Sequence, residues 1–364
     1  MTVKPLDQGA TIGIIGGGQL GRMLAAAAAR LGFKTIVLEP QADCPAAQLC
    51  TRQIVAAYDD PDALAALAQQ CDVITYEFEN VDVAAIEQLE AVARVYPPSK
   101  PLAVAQDRAV EKTFLAEAGL TTAPWQAVDT AADLDKALAA FGGKAILKTR
   151  RMGYDGKGQV RFSGAQSDPT SDEALTLVGH APCVLEGFVD FTAEISVIGT
   201  RAINGSTTCF DPAANVHEAG ILSTSTLPSG LDPAIEAQAT ELTAKLLNAL
   251  SYVGTLGLEF FVTRQGTLIA NEFAPRVHNS GHWTEAACAV SQFEQHIRAI
   301  AGWPLGDAKR HSDCVMHNLL GDAIDELPYL AQQPDVFLHS YGKAEARPGR
   351  KMGHYTRISP RKSA

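Results

Sequence analysis

The stretch from Ala145 to Gln159 (AILKTRRMGYDGKGQ) constrains this chain more than any other. Ala145 to Leu147 is an apolar run that reads as a buried strand and delivers Lys148 at its end. Gly153, Gly156 and Gly158 then fall within six residues, interleaved with Tyr154, Asp155 and Lys157, a spacing that disfavours helix and strand alike. Such a loop can aim several backbone N–H groups at one anion without Cβ interference, and Lys148, Arg150, Arg151 and Lys157 add positive charge. That is the chemistry of a lid over a polyphosphate. A long hairpin turn with solvated lysines is the plain structural alternative.

At 364 residues the chain exceeds what one core usually covers, so two or three domains around a shared cleft are expected. A net charge of −11 argues against general nucleic-acid binding, which depends on Lys and Arg neutralising phosphates. Seven cysteines, odd in number and without a C-x-x-C pair or zinc spacing, fit reduced thiols in the cytoplasm. The start MTVKPLDQGA lacks an apolar h-region and no run of about 18 apolar residues occurs, so neither export nor a membrane span is expected.

Thr11 to Ile15 is a β-branched run followed by Gly16-Gly17-Gly18-Gln19-Leu20-Gly21 and an Ala/Leu-rich helical stretch from Arg22 to Leu31. With a strand at Lys34 to Leu38 and Glu39 after it, this matches a dinucleotide fingerprint. The same turn suits any phosphate at a helix N-terminus, or serves close helix–sheet packing alone. A strand at Val73 to Thr75 delivers Glu77 and Glu79 where open α/β sheets keep their ligands. The first domain is expected to end at the Pro-rich break near residue 105. Beyond it, helices are expected over Gln106 to Ala118 (carrying Arg108) and Asp133 to Ala140, a loop over 163–173, and a helix over Glu285 to Ala301. Residues Glu186, Gly187, Phe188 and Val189 end a strand and could present backbone donor and acceptor to an adenine ring, with Glu194 placed for ribose hydroxyls.

In Gly257 to Glu272 two β-rich runs flank Gln265-Gly266, which predicts a two-residue hairpin turn and sets Glu259 directly opposite Glu272. Opposed carboxylates destabilise a ladder unless something compensates, and a divalent cation between them would do so. A solvent-facing pair relieved by Arg264 or Arg276 is the alternative. Arg276, His278, Asn279 and His282 follow directly, a donor density that suits an anionic reacting group. Near the C-terminus Lys343, Arg347, Arg350 and Lys351 gather around Pro348-Gly349, a basic cluster in an acidic protein.

Together these features resemble the ATP-grasp enzymes and, within them, the family of N5-carboxyaminoimidazole ribonucleotide synthetases of de novo purine synthesis. The resemblance rests on GGGQLGRM (16–23), TYEFENV (75–81), RRMGYDGKGQ (150–159), NVHEAGIL (215–222), NEFAPRVHNSGH (271–282) and YGKAEARPGRKMGH (341–354). It implies an α/β ATP-grasp architecture: a Rossmann-like N-terminal domain (1–105), a central ATP-grasp domain with the glycine-rich lid (106–300) and a small C-terminal domain (301–364). It further implies that Arg108, Lys148, Gly153 to Gln159 (including Tyr154, Asp155, Gly156, Lys157 and Gly158), Glu186 to Val189, Glu194, His217, Asn271 and Glu272 contact ATP. Glu259 and Glu272 would hold Mg²⁺. Gln19, Leu20, Glu77, Tyr154, Asp155, Lys343, Arg350 and Lys351 would bind the aminoimidazole ribonucleotide. Arg276, His278 and Asn279 would face bicarbonate, with Tyr154, Asp155 and Lys157 of the lid also near the reacting groups. A homodimer is implied as well. Two departures stand out. Val277 replaces a Pro common in the family, and Ala274 replaces an Asn frequent across the superfamily, two residues after the second metal Glu.

The implied reaction begins with attack of a bicarbonate oxygen on the ATP γ-phosphate, giving carboxyphosphate. The glycine lid would exclude water until the ribonucleotide amine captures the carboxyl group. An NAD-dependent oxidoreductase would explain residues 16–21 and Glu39 but not the lid or the glutamate hairpin. A related ATP-grasp ligase, acting on another ribonucleotide or a biotin carrier, would share all the ATP machinery. A nucleotide-sensing module would have no need of lysine, lid and both glutamates together. The Gly16–Gly21 turn and the basic cluster are expected to converge on the ribonucleotide 5′-phosphate.

Overall fold

The computed structural model describes residues 4–153 and 158–361. The chain opens as a parallel α/β layer in which β1 (Thr11–Ile15), β2 (Lys34–Leu38), β3 (Arg52–Ile54) and β4 (Val73–Tyr76) lie in the order β3-β2-β1-β4. Helix α1 (Gln19–Arg30) starts inside the glycine turn rather than after it, and α2 (Pro61–Gln70) and α3 (Val83–Glu90) complete the layer. Ile12 and Ile14 pack with Leu24 and Ala28, while Ile15, Ile36 and Leu64 share a second core, as expected for a sheet buried on both faces.

Helices α4 (Ser99–Ala105) and α5 (Arg108–Glu117) lead to a four-stranded antiparallel sheet. It contains β5 (Trp125–Val128), β6 (Lys144–Thr149), β7 (Gln159–Ser163) and β8 (Cys183–Gly187) in the order β5-β8-β6-β7, backed by α6 (Ala131–Ala140) and α7 (Ser171–Leu177). The expected loop over 163–173 is thus shorter. Thr170 and Glu173 form a capping box that starts α7, a local signal within an otherwise breaker-rich stretch.

The largest sheet has nine strands. It contains β9 (Phe191–Arg201), β10 (Thr207–Cys209), β11 (Ala213–Glu218), β12 (Ile221–Leu227), β13 (Gly254–Thr263) and β14 (Leu268–Ala274), and helix α8 (Pro233–Ala249) seals one face through Leu246 and Leu247. The helix expected over 285–301 is two: α9 (Thr284–Ala287) and α10 (Gln292–Ile300). Ser291 breaks them apart, its side chain accepting the Glu294 amide as an N-cap. Phe293 and Ile297 of α10 belong to the same core as Ile12 and Ile14, so this helix roofs the first sheet. The C-terminal strands β15 (Ser312–Leu320), β16 (Val336–Ser340) and β17 (Lys351–Pro360), with the short helix α11 (Leu327–Leu330), form no separate sheet. They extend the central one in the order β14-β13-β9-β11-β12-β15-β17-β16. Among the described residues no helix is long and apolar enough to cross a membrane.

Candidate active site

The hairpin of β13 and β14 closes differently from the two-residue turn the sequence suggests. Thr263 faces Thr267 across a three-residue loop, with Gly266 at φ +78° taking the left-handed position. That slips the register by one near the turn. A β-bulge then restores it: Leu258 faces Phe273 while Phe260 faces Ala270, so Asn271 and Glu272 together oppose Glu259. The two carboxylates therefore do meet, through a bulge rather than a simple ladder.

Burial, then the neighbouring Glu272, pushes the Glu259 carboxyl up to about 7. Burial acts the same way on Glu272, but Arg108, whose Nη1 lies 2.7 Å from Glu272 Oε2, and then Lys148 more than offset it and hold that carboxyl at about 2. One carboxylate is thus firmly anionic and the other is held partly protonated near neutral pH. Asn271 Oδ1 is buried with no hydrogen-bond partner among the described residues. Two carboxylates and an orphaned amide oxygen are hard donors of the kind Mg²⁺ takes, so the residues present fit that ion.

Glu259 is also faced by His278, whose Nε2 is 3.6 Å from Glu259 Oε1. The His278 backbone is clamped on both sides by Gln292, which accepts from its N–H at 2.9 Å and donates to its carbonyl at 2.7 Å. Burial, then Arg276, lowers the His278 pKa to about 3, so the ring is neutral. Arg276 forms a two-pronged ion pair with Glu79, its Nη2 at 2.9 Å from Oε1. His217 Nδ1 lies 2.7 Å from Glu194 Oε2. Burial opposes its protonation, but Glu194 and then Glu259 raise its pKa above the ordinary value. The Asn279 carboxamide, expected to face bicarbonate, is instead in a reciprocal pair with Asn318, at 3.0 and 2.6 Å. Glu79, Asn80, Arg108, Glu272, Arg276 and His278 line one cleft, which Arg150 and Gly153 also border.

On the second sheet Lys148, at the end of β6, lies 3.0 Å from Glu186 Oε2. Lys112 of α5 reaches the other oxygen at 3.1 Å. The Glu186 side chain is therefore a buried anion between two lysines, while the adenine contact expected of residues 186–189 concerns their backbone. Gly187 donates its N–H to Pro124 and Phe188 to Lys144, neither bond involving Val189. Gly158 has φ +69°, and Gln159 pairs with Lys148 in the ladder. Tyr154, Asp155, Gly156 and Lys157 lie outside the described residues. Arg150, expected to add charge near a phosphate, forms a bidentate pair with Asp107, the residue that caps α5.

The glycine turn of residues 16–21 binds side chains of the protein itself. The Gly18 and Gly21 amides donate to the two oxygens of Glu77 at 2.6 and 2.8 Å, and the Gly17 amide donates to Glu39 at 2.8 Å. Those amides hold the protein's own carboxylates, leaving no place for a dinucleotide pyrophosphate or a substrate phosphate upon them. A Cβ at Gly17 would collide with Cys44 Sγ, and one at Gly16 would sit 2.5 Å from Glu77 Cγ. Gln19 keeps its expected meeting with the basic cluster: Lys343 donates to Gln19 Oε1 and to the Lys351 carbonyl, both at 2.6 Å. Gln48 donates to the Gly342 carbonyl at 2.9 Å, so the C-terminal segment folds back over the first layer. Arg350 donates to the Glu345 carbonyl at 2.9 Å. The sequence reading missed Lys112, Glu111 and the partners of Asn279. For the first two the signal was present, since Arg108, Glu111 and Lys112 are spaced to share one helix face.

The three parts of the chain match three family models in order. Residues 9–106 match the ribonucleotide synthetase preATP-grasp domain, 113–293 the ATP-grasp domain and 314–364 the phosphoribosylaminoimidazole carboxylase C-terminal domain. The chain is an ATP-grasp ligase. An N5-carboxyaminoimidazole ribonucleotide synthase of Brucella melitensis is 60% identical over 99% of both chains. A solved N5-carboxyaminoimidazole ribonucleotide synthetase in complex with ADP superimposes at a TM-score of 0.94, with 43% identity over 98% of this chain and 94% of that one. The Aspergillus clavatus enzyme, solved with ADP and 5-aminoimidazole ribonucleotide, gives a TM-score of 0.89 at 29% identity, over 97% and 94%. The chain belongs to the N5-carboxyaminoimidazole ribonucleotide synthase family.

Proposed function

We propose that this chain carboxylates the 5-amino group of 5-aminoimidazole ribonucleotide, using ATP and bicarbonate and releasing ADP and phosphate. The observation that carries this reading is the Glu259/Glu272 bulge beside the Arg276–His278 donors, on the same sheet as the segment bearing Lys343 and Lys351. ATP would lie between the two antiparallel sheets, with Lys148 on its phosphates, the 186–189 segment beside the adenine, and Glu194, His217, Asn271 and Arg108 around the ribose and phosphates. Glu259 and Glu272, with Asn271 Oδ1 available, would hold Mg²⁺, which when bound supplies charge to draw electron density from the transferring phosphoryl group.

Arg276 and His278 stabilise negative charge on bicarbonate as its oxygen attacks the γ-phosphorus and ADP leaves. Because His278 is neutral it offers a donor without attracting a proton from the substrate. Asn279, through Asn318, fixes the turn on which His278 stands. The mixed anhydride of carbonic and phosphoric acids then gives its carboxyl group to the amine, phosphate leaves, and the nitrogen loses a proton. Gln19, Leu20, Glu77, Lys343, Arg350 and Lys351 border the ribonucleotide, with the lysines and arginine taking the 5′-phosphate. Glu77 acts there by fixing the glycine turn. Tyr154, Asp155 and Lys157 would act on the anhydride, as the family resemblance implies. The reading extends to a homodimer in the cytoplasm, as the family resemblance implies.

The test is phosphate release from ATP measured with each component left out, together with incorporation of ¹³C-bicarbonate into a carbamate observed by NMR. Release that requires both bicarbonate and the ribonucleotide, with one carbamate per phosphate, is expected. Turnover indifferent to the ribonucleotide would assign the ATP machinery to a different acceptor.

A further inference from the structure

His278 sits at one end of a buried chain of hydrogen bonds that leads away from the cleft. Its Nδ1 lies 2.8 Å from Ser280 Oγ, which lies 2.7 Å from Ser196 Oγ. Ser196 Oγ in turn receives the Asn215 amide N–H at 2.9 Å, and Asn215 Oδ1 receives the Ser225 hydroxyl at 2.7 Å. Ser196, Ser225 and Ser280 are almost fully buried and Asn215 nearly so, so solvent does not supply alternative partners. The chain crosses four elements, from β12 through β11 and β9 to the turn after β14.

Such a chain has a direction, because each hydroxyl has one proton to give. Asn215 donates to Ser196, so the Ser196 proton is directed to Ser280, and the Ser280 proton to the imidazole. The ring nitrogen that accepts it, Nδ1, then carries no proton, and the neutral ring must carry its proton on Nε2. The reverse polarity would need Asn215 flipped, with its N–H on the Ser225 hydroxyl and its oxygen on the Ser196 hydroxyl, and the structure has the opposite orientation. We propose that Ser280, Ser196, Asn215 and Ser225 are positioning residues that fix His278 as the Nε2–H tautomer, making it a hydrogen-bond donor toward the cleft and not a general base.

The consequence for the reaction rests on the function proposed above, but the tautomer does not. The experiment is two-bond ¹H–¹⁵N correlation on the full chain with ¹⁵N-histidine, the His278 signals assigned by their loss in His278→Asn. In the wild type the pattern of a protonated Nε2 and a bare, hydrogen-bonded Nδ1 is expected. Ser196→Ala cuts the chain between amide and hydroxyl, frees the Ser280 proton to turn, and should move both ring nitrogens toward the values of a tautomer mixture. Its kcat should fall roughly tenfold, the loss of about one well-aimed donor, with the KM for ATP unchanged. Ser280→Ala, a smaller perturbation of the same chain, should shift Nδ1 and serves if Ser196→Ala folds poorly. A wild-type ring protonated on Nδ1 overturns the proposal, as does a His278 pattern that neither variant alters. A shifted pattern with unchanged kcat would keep the tautomer but show that the function proposed for His278 is wrong.

Discussion

Lys112 and Lys148 close on the same carboxylate from its two oxygens, at 3.1 and 3.0 Å from Glu186. Lys112 comes from a helix and Lys148 from a strand end, and the Lys112 side chain is only 1% exposed. If Lys148 moves to a nucleotide phosphate, Glu186 keeps a counter-charge. Without Lys112 the buried carboxylate would hold Lys148 back. Lys112→Met should therefore raise the KM for ATP several-fold and lower stability by about 3 kcal/mol, the low end for a broken buried pair because Lys148 remains. Adding Glu186→Gln should restore much of that stability. Urea unfolding and ATP kinetics on the single and double variants check this, and a Lys112→Met chain with unchanged stability and KM would rule the shared carboxylate out.

Glu272→Gln and Glu259→Gln should each reduce ATP turnover by at least about 100-fold, since each removes charge where the phosphoryl group transfers. Neither side chain belongs to a hydrophobic core cluster, so the folded state should persist by circular dichroism. Near-normal turnover of either variant at saturating Mg²⁺ would sink the metal assignment.

Lys343→Ala and Arg350→Ala should raise the KM for the ribonucleotide about 10- to 150-fold, the equivalent of about 1.5 to 3 kcal/mol for a charge-assisted hydrogen bond, while leaving that for ATP nearly unchanged. Initial rates with each substrate varied in turn make the comparison. The opposite split would place these residues at the nucleotide.

Glu111 gives a pH dependence of known sign. It accepts the Phe273 N–H at 2.7 Å at the far side of the bulge, and burial, then Glu272, raises its carboxyl from 4.5 to about 8. The folded chain therefore keeps this proton where the unfolded chain has released it. The stability it contributes is fully present below pH 4.5 and is lost as pH rises toward about 8. Glu111→Gln, which cannot titrate, should lack this decline. Urea midpoints for both chains between pH 5 and about 9 test it, the wild type losing ground to the variant as pH rises; parallel curves would refute the assignment.

The fold class and family resemblance were legible because their signals are local: a lysine strand running into glycines, two carboxylates flanking a hairpin, a basic segment in an acidic chain. Details decided by tertiary contacts were not. The turn at Gln265-Gly266 read as two residues, since nothing nearby announces a bulge at Asn271-Glu272, yet the bulge returned Glu259 and Glu272 to each other. The glycines at 16–21 read as an anion site because their amides are open in the sequence. Only the fold brings Glu77, 56 residues beyond Gly21, to occupy them. Asn279 likewise found Asn318, 39 residues on. Long-range partners of this kind leave no periodicity to read.

The nine-stranded sheet runs unbroken from β14, which carries Glu272, through β12 and β15 to β17, which begins at Lys351. Six strand spacings of about 4.8 Å would set those two strands roughly 29 Å apart on a flat sheet. Lys351 is nevertheless close enough to act electrostatically on both Glu259 and His278. The sheet therefore curls, and its curvature, not its strand count, brings the metal-side and ribonucleotide-side residues to one cleft.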